Sequence, residues 1–180
     1  QYKGKSSSLM AGNSGKGTLA HLAAELFEAE TGVALSPVPY RGESALMPDL
    51  ISGQVSLGFL NLPSVAPHIK SGKLRALAVS SPQPVADLTA VPTFRSLNYP
   101  SLEVQGWAAL VAPKGTIPEE GLVRLESLLS KALASDAVKA RFAALNVVPV
   151  VRPRLATEQF LKAEGERYGA VIKARGIKPE

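Results

Sequence analysis

The chain has 180 residues, in which 20 Lys and Arg outnumber 15 Asp and Glu to give a formal net charge of +5. The apolar fraction of 46% is ordinary for a globular protein, and the lack of Cys excludes a disulfide scaffold, a thiol nucleophile and a Cys-ligated metal site. No run of about 18 apolar residues predicts a transmembrane helix, and no two Lys or Arg are adjacent, so neither a membrane span nor a nucleic-acid partner is indicated.

The first 80 residues alternate between apolar strands and amphipathic helices. Strands are predicted at residues 7–11, 33–38, 55–60 and 74–79, and helices at residues 18–30, 43–52 and 63–70. Pro48 is expected to break the second helix or to lie in its first turn. Apolar strands that are each separated by a helix are typical of an open parallel sheet with helices on both faces, so the predicted fold class is α/β.

The remaining residues are predicted to be mainly helical. A connection at residues 80–100 includes a short helix at 93–97, and strands are expected at 104–112 and 147–151. Helices are expected at residues 118–134, from Asp136 as a cap to about residue 145, and at 157–175, with Asn146 left-handed. Thr116 and Glu119 have capping-box spacing before the first of these helices. That helix is expected to bury an apolar stripe, formed by Leu122, Leu125, Leu128, Leu129 and Ala132.

Residues 12–18, which we call the glycine loop, carry the clearest functional signal. A strand that runs through glycines into a helix leaves backbone N–H groups free at the helix N-terminus, where they and the helix dipole attract an anion. Phosphate and carboxylate fit equally well, and a strand-to-helix turn without a ligand is the alternative. The candidate binding residues in this loop are Asn13, Ser14, Gly15, Gly17 and Thr18.

Part of the glycine loop is similar to a nucleotide-binding P-loop. That motif requires a Gly, four further residues and then Gly-Lys-Ser/Thr, whereas position 10 here is Met and Lys16 is followed by Gly17. The spacing of the glycines does not fit the dinucleotide-binding motif either. A protein that binds phosphate or a nucleotide and transfers phosphoryl groups is therefore the alternative function rather than the favoured one.

Two other loops are predicted to lie beside the glycine loop, because they also follow strands of the parallel sheet. Tyr40, Arg41 and Gly42 follow the second strand, and Asn61 follows the third. Arg41 either neutralises a carboxylate or points into solvent. Asn61 either donates to a ligand or caps the following helix. All four are candidate ligand-binding residues.

No pattern in the sequence indicates catalysis or a metal site. His21 and His68 have no Asp or Glu at metal-ligand spacing, and both are interpreted as structural or surface residues, with His21 near enough to orient the glycine loop. No Gly-x-Ser-x-Gly motif occurs, and no pair of carboxylates is indicated for acid–base chemistry.

The motifs together resemble the solute receptors of tripartite tricarboxylate transporters, also called Bug receptors. The resemblance covers nearly the whole chain, and the order and spacing of its short segments make it specific. In chain order, these segments are Gly12-Asn13-Ser14-Gly15-x-Gly17-Thr18, His21-Leu22-Ala23, Val38-Pro39-Tyr40-Arg41-Gly42, residues 49–55, Asn61-Leu62-Pro63-Ser64, residues 69–79, Val91-Pro92-Thr93, residues 112–116 and residues 176–180.

The resemblance implies a two-lobed periplasmic receptor of the type II binding-protein kind. Such receptors hold a small di- or tricarboxylate between their lobes, partly on the loop that matches residues 12–18, and deliver it to membrane transporter subunits. They are not enzymes and use no metal or organic cofactor.

The resemblance also implies a domain division. Residues 1–102 would form the second, ligand-binding lobe, and residues 103–180 would form a hinge strand and helices of the first lobe. The opening segment that family members place before the second lobe is absent from this sequence. We therefore expect an apolar surface that could lead to self-association.

Overall fold

The computed structural model describes residues 9–178, so positions 7 and 8 of the first predicted strand lie outside the described residues. Strands and helices alternate at the start, and helices dominate the rest. The strands are β1 (Leu9–Asn13), β2 (Leu35–Pro39) and β3 (Leu57–Gly58), and the α-helices are α1 (Leu19–Thr31), α2 (Glu43–Ile51), α3 (Leu62–Lys70), α4 (Glu119–Ala134), α5 (Asp136–Ala144) and α6 (Arg154–Ala174). Three short 3₁₀ helices lie between α3 and α4, at Ala86–Leu88, Arg95–Leu97 and Pro100–Leu102.

The three strands form a parallel sheet in the order β2-β1-β3, with Asn13 opposite Pro39 and Gly12 opposite Gly58. The chain moves from β1 to β2 in one direction and then crosses back past β1 to β3. Because such crossovers are right-handed, these opposite moves put α1 and α2 on opposite faces of the sheet. The predicted α/β fold class with an open parallel sheet is confirmed.

The core of the sheet is a close contact between β1 and α2. Ala11 and Leu46 are fully buried, and Gly12 lies directly under the Leu46 side chain. A Cβ atom added at Gly12 would lie 2.2 Å from Leu46 Cδ1, so only a glycine allows α2 to approach this closely. On α1, Phe27 packs against the rings of Phe59 and Phe94, with centroids 5.7 and 6.2 Å apart.

Four strand predictions differ from the structure. The strand expected at residues 55–60 is reduced to the two residues of β3, and that at 74–79 makes a single bridge between Val79 and Thr93. Within residues 9–178, no strand forms at 104–112 or at 147–151. Apolar, β-branched runs favour an extended chain, but a strand also needs a neighbour to share its hydrogen bonds, and the described residues supply none there.

The helix boundaries agree more closely with expectation. Thr18 caps α1, whose C-terminal Gly32 is left-handed at φ 67°, and Asn146 is left-handed at φ 53° as predicted. Pro48, however, lies inside a continuous α2, because the buried Leu46 and Met47 anchor the helix despite the hydrogen bond that a proline cannot donate.

Three expectations for the later helices are wrong. The Thr116 hydroxyl donates to the Pro113 carbonyl at 2.8 Å and does not cap α4, while Glu119 pairs with Arg154. Asp136 is the first residue of α5, and Ser135 is its N-cap. The apolar stripe of α4 is not buried. Leu125, Leu128 and Leu129 are exposed, and no residue of α4 is fully buried by the part of the chain that the structure describes.

Backbone contacts divide the chain into two units. The first contains the sheet, with the described residues up to Gly106 and from Tyr168 onward, and the second is Trp107–Arg167. Inside the second unit, the Phe160 ring packs edge-on against Trp107, and the Arg152 guanidinium lies 4.1 Å from the centre of the same ring. No helix in the described range is long and apolar enough to span a membrane.

Replacing Gly12 with Ala is expected to lower the free energy of unfolding by about 1–3 kcal/mol, because the new methyl group overlaps a fully buried Leu46 that has no free space to move into. Urea denaturation measures the change. Gly165→Ala in α6 is the matched control, since nothing lies within 4 Å of its added Cβ, and it should leave stability unchanged or raise it slightly. Equal stability of both variants would contradict the tight β1–α2 contact.

Candidate functional site

Backbone hydrogen bonds join the loops that follow β1 and β2. The Tyr40 amide donates to the Asn13 carbonyl at 3.0 Å, and the Gly42 amide donates to the Ser14 carbonyl at 3.3 Å. Gly15 has a φ of 124°, and a Cβ there would lie 3.3 Å from the Tyr40 carbonyl oxygen. A glycine is therefore required at this position both for its backbone angle and for the close approach of the two loops.

The glycine loop is closed by its own side chains. Asn13 is buried, and its Oδ1 accepts from the Gly15 amide at 3.0 Å. The Thr18 hydroxyl donates to the Gly15 carbonyl at 2.6 Å and accepts from the Ser14 hydroxyl at 3.2 Å and the His21 amide at 3.4 Å. Because these three bonds use the full capacity of a hydroxyl, Thr18 shapes the loop and caps α1 rather than presenting a spare donor.

Several donors at the start of α1 remain available. The first-turn amides of Leu19 and Ala20 have no acceptor within the helix, and the buried Nδ2 of Asn13 has no acceptor among the described residues. A depression of about 240 Å³ beside them contains the exposed Lys16 in its lining, together with Asn13, His21, Pro37 and Pro39. Unfilled N–H groups, a helix dipole and a lysine together favour an anion at this end of α1.

His21 contacts the glycine loop directly. The sequence indicated only that this histidine lies near the loop. The Gly17 amide donates to Nδ1 of this buried histidine at 3.1 Å, and Nε2 lies 3.5 Å from Oε1 of Glu25. Glu25 and Glu28 in turn pair with Arg175 from the end of the chain. The spacing of His21 and Glu25 by four helical residues signals their contact, but nothing local in the sequence signals Arg175.

The Tyr40 hydroxyl is engaged by the protein. It donates to Oδ2 of Asp49 on α2 at 2.7 Å, and this hydrogen bond to a carboxylate raises the pKa of Tyr40 above its usual value near 10. The ring of Tyr40 is half-buried beside the glycine loop. The side chain thus offers a ligand its ring and a hydroxyl lone pair rather than a free donor.

Glu43, the first residue of α2, links the loop after β3 to the loop after β2. Its Oε1 accepts from both the backbone amide and Nδ2 of Asn61, each at 2.8 Å, and its Oε2 accepts from the Ser64 hydroxyl. Asn61 makes no side-chain cap on α3, so that alternative is wrong. Glu43 was not among the candidate residues predicted from the sequence. Its position at the start of a helix, beside two loops at the end of the sheet, could have indicated a role in this cluster of loops.

The remaining candidates lie at the edge of this cluster. Arg41 is exposed and makes no ion pair within the described part of the chain, while Gly42, at φ 95°, begins α2. Gly106 is also close, since a Cβ there would lie 3.7 Å from both Asn61 Oδ1 and Leu19 Cδ2. His68 lies on α3, away from these contacts, and residues 9–178 contain no group of His, Asp or Glu able to hold a metal ion.

Comparison of the sequence with known proteins identifies a family and several relatives. A family model described as "Tripartite tricarboxylate transporter family receptor" matches residues 2–177. Protein BugT from Bordetella pertussis is 40% identical over 162 residues, which are 90% of this chain and 49% of BugT. The chain therefore spans about half the length of this relative.

Solved structures agree with this result. R. palustris Rpa4515 with adipate matches at a TM-score of 0.80 and 31% identity, over 96% of this chain and 57% of that chain. MatC (Rpa3494) from Rhodopseudomonas palustris with bound malate matches at a TM-score of 0.74 and 25% identity, over 91% of this chain and 56% of that chain.

Asp49→Asn is expected to lower the pKa of Tyr40 toward its ordinary value, because the carboxylate that favours the protonated hydroxyl is removed. The raised pKa means that this bond stabilises the fold below the pKa of an unfolded tyrosine, and that the stabilisation is lost as pH rises through the folded value. Tyrosinate absorbance during an alkaline titration measures the shift, with Tyr40→Phe identifying which signal is Tyr40. An unchanged titration curve in Asp49→Asn would contradict the contact.

Proposed function

The chain belongs to the tripartite tricarboxylate transporter receptor family, and we propose that it captures a small carboxylate, of the di- or tricarboxylate type, for a membrane transporter. The family model describes receptors of transporters, not enzymes. Two of the solved structures that match are described with adipate and with bound malate, and both of these ligands are dicarboxylates.

One contrast between two helices supports a carboxylate at the glycine loop. The N-terminus of α3 is occupied by the protein's own carboxylate, Glu43, which accepts three hydrogen bonds there. The first turn of α1 has no acidic residue, yet it carries unfilled amides and the buried Nδ2 of Asn13. The positive end of a helix dipole favours a negative charge, which the protein's own Glu43 supplies beside α3. At α1 a carboxylate from a ligand would supply it.

The proposed ligand contacts divide into two groups. In the glycine loop, Asn13 Nδ2 and the first-turn amides that follow it on α1 would donate to one carboxylate. Ser14, Gly15, Gly17 and Thr18, whose polar groups bond within the protein, would shape the loop around that carboxylate. The neighbouring loops would contact the rest of the ligand through Tyr40, Arg41, Gly42 and Asn61. Lys16 and Arg41 are exposed cations at this edge, and their field would attract an anionic ligand.

The proposal extends to location, domains and partners. The chain would work in the periplasm and would deliver its ligand to transporter subunits. Residues 1–102 would form the ligand-binding lobe, and residues 103–180 would form the hinge and the helices of the first lobe. The exposed apolar side chains of the second unit support self-association of the isolated chain; they include Trp107, Leu110, Val111, Leu128, Val148 and Leu155.

Isothermal titration calorimetry with malate and adipate tests the main proposal, with inorganic phosphate and ATP as comparison ligands. Saturable binding of a dicarboxylate with no response to ATP supports it. Binding of ATP that is lost in Lys16→Ala, without any carboxylate binding, would overturn it in favour of phosphoryl chemistry.

Thr18→Ala is expected to weaken dicarboxylate binding on the order of 1–2 kcal/mol, because the loop loses the hydroxyl that closes it and caps α1. Thr116→Ala is the matched control: Thr116 also places its amide and hydroxyl on the carbonyl three residues earlier, but outside the site. Calorimetry should give an unchanged affinity for the control. Equal affinities in both variants would move the ligand away from the glycine loop.

Leu128→Glu is expected to shift the 180-residue chain toward the monomer, because a charge in the exposed apolar stripe of α4 opposes burial against a second copy. Light scattering across a range of protein concentrations measures the change in mass. Leu97→Glu, an exposed leucine in the first unit, is the control. A wild-type chain that is monomeric at every concentration would contradict self-association.

A further inference from the structure

We infer that His21 is a positioning residue that holds the glycine loop in its anion-receiving form, and that it does so only while its Nδ1 is unprotonated. The inference rests on the proposed function only for its link to ligand affinity. The geometry that carries it is the hydrogen bond from the Gly17 amide to Nδ1 of His21, which is 3.1 Å long and is made to a residue that is only 7% exposed.

The direction of this hydrogen bond fixes the state of the ring. A backbone N–H can only donate, so Nδ1 must be the accepting nitrogen and must carry no proton. In neutral imidazole the proton then lies on Nε2, which faces Oε1 of Glu25 at 3.5 Å. The Glu25 carboxylate selects this tautomer, because it attracts an N–H and repels a bare ring nitrogen.

Several charged side chains lie around His21. Oε2 of Glu25 pairs with the Arg175 guanidinium, which also pairs with Glu28, so the negative charge nearest the ring is shared with a cation. On the loop side the charged neighbour in the depression is Lys16, and the residues that β1 and β2 contribute there, Asn13, Pro37 and Pro39, are uncharged.

Among the described residues, His21 Nδ1 is the acceptor that the Gly17 amide has within the protein. Gly17 is exposed, has a φ of 75°, and lies one residue before the Thr18 cap. When acid protonates Nδ1, two N–H donors face each other, and Gly17 must turn away from the ring. The turn moves the backbone that precedes the first-turn amides of α1, where the carboxylate is proposed to bind.

Nitrogen NMR on the labelled wild-type chain tests the inference without any substitution. The His21 ring should give an acceptor-type Nδ1 and a protonated Nε2, with a through-hydrogen-bond coupling between Nδ1 and the Gly17 amide nitrogen. Acidification should remove this coupling as His21 takes up its proton, and the Gly17 amide should lose protection from hydrogen exchange at the same step. A protonated Nδ1 in the neutral ring, or a Gly17 signal indifferent to His21 protonation, would overturn it.

Two substitutions separate positioning from packing. His21→Asn places an amide oxygen near the site of Nδ1, so it should keep most of the Gly17 protection and make it independent of acidification. His21→Leu fills the space without an acceptor, so the Gly17 protection factor should fall by roughly tenfold. His68→Leu is the matched control on α3 and should leave Gly17 unchanged. Equal protection in the leucine and asparagine variants at position 21 would overturn the inference.

Malate and adipate affinities then link the loop to the ligand. Affinity should fall by roughly tenfold in His21→Leu and by much less in His21→Asn, following the Gly17 protection. If the wild-type chain bound neither carboxylate, the proposed function would fail for this chain while the NMR result still decided the role of His21. If it bound them equally in all variants, the link between His21 and the ligand would be overturned.

Discussion

Parallel pairing of β1 with a strand on each side is the constraint on which the site depends. Because β2 and β3 both run parallel to β1, the loops that follow all three strands emerge at one edge of the sheet. In the order β2-β1-β3 the central strand is β1, so the glycine loop that follows it has the loops after β2 and β3 on either side. Gly12 makes this arrangement possible, since a larger residue would keep Leu46 and α2 away from the central strand.

At that edge of the sheet, most polar groups of the glycine loop form hydrogen bonds within the protein, and a few donors have no protein acceptor. Asn13, Thr18 and His21 each occupy a donor or acceptor of the glycine loop, so the loop has a defined shape without a ligand. The first-turn amides of α1 and the Asn13 Nδ2 are left over. A preshaped loop with a small set of convergent donors binds an anion with less loss of conformational entropy than a mobile loop does.

The N-termini of α1 and α3 differ in whether the protein itself supplies a negative charge beside them. Glu43 fills the start of α3 from within the chain, whereas α1 has no acidic partner in its first turn. The difference depends on Glu43, because this carboxylate lies at the start of α2 and reaches the loop that precedes α3.

The sequence by itself determined the α/β class, the glycine loop, most helix boundaries and the family. These features depend on local properties: the period of apolar residues, the caps at Thr18 and Gly32, and short motifs in a fixed order. Only the tertiary structure decided which apolar runs become strands. Residues 104–112 look like β1 in composition but have no described partner to share hydrogen bonds, and the α4 stripe has the right period but nothing described to cover it. The partners of His21, Tyr40 and Asn61 were likewise decided by the folded chain. Gly17, Asp49 and Glu43 come within hydrogen-bond distance of them only when the loops and helices that carry these residues are in place.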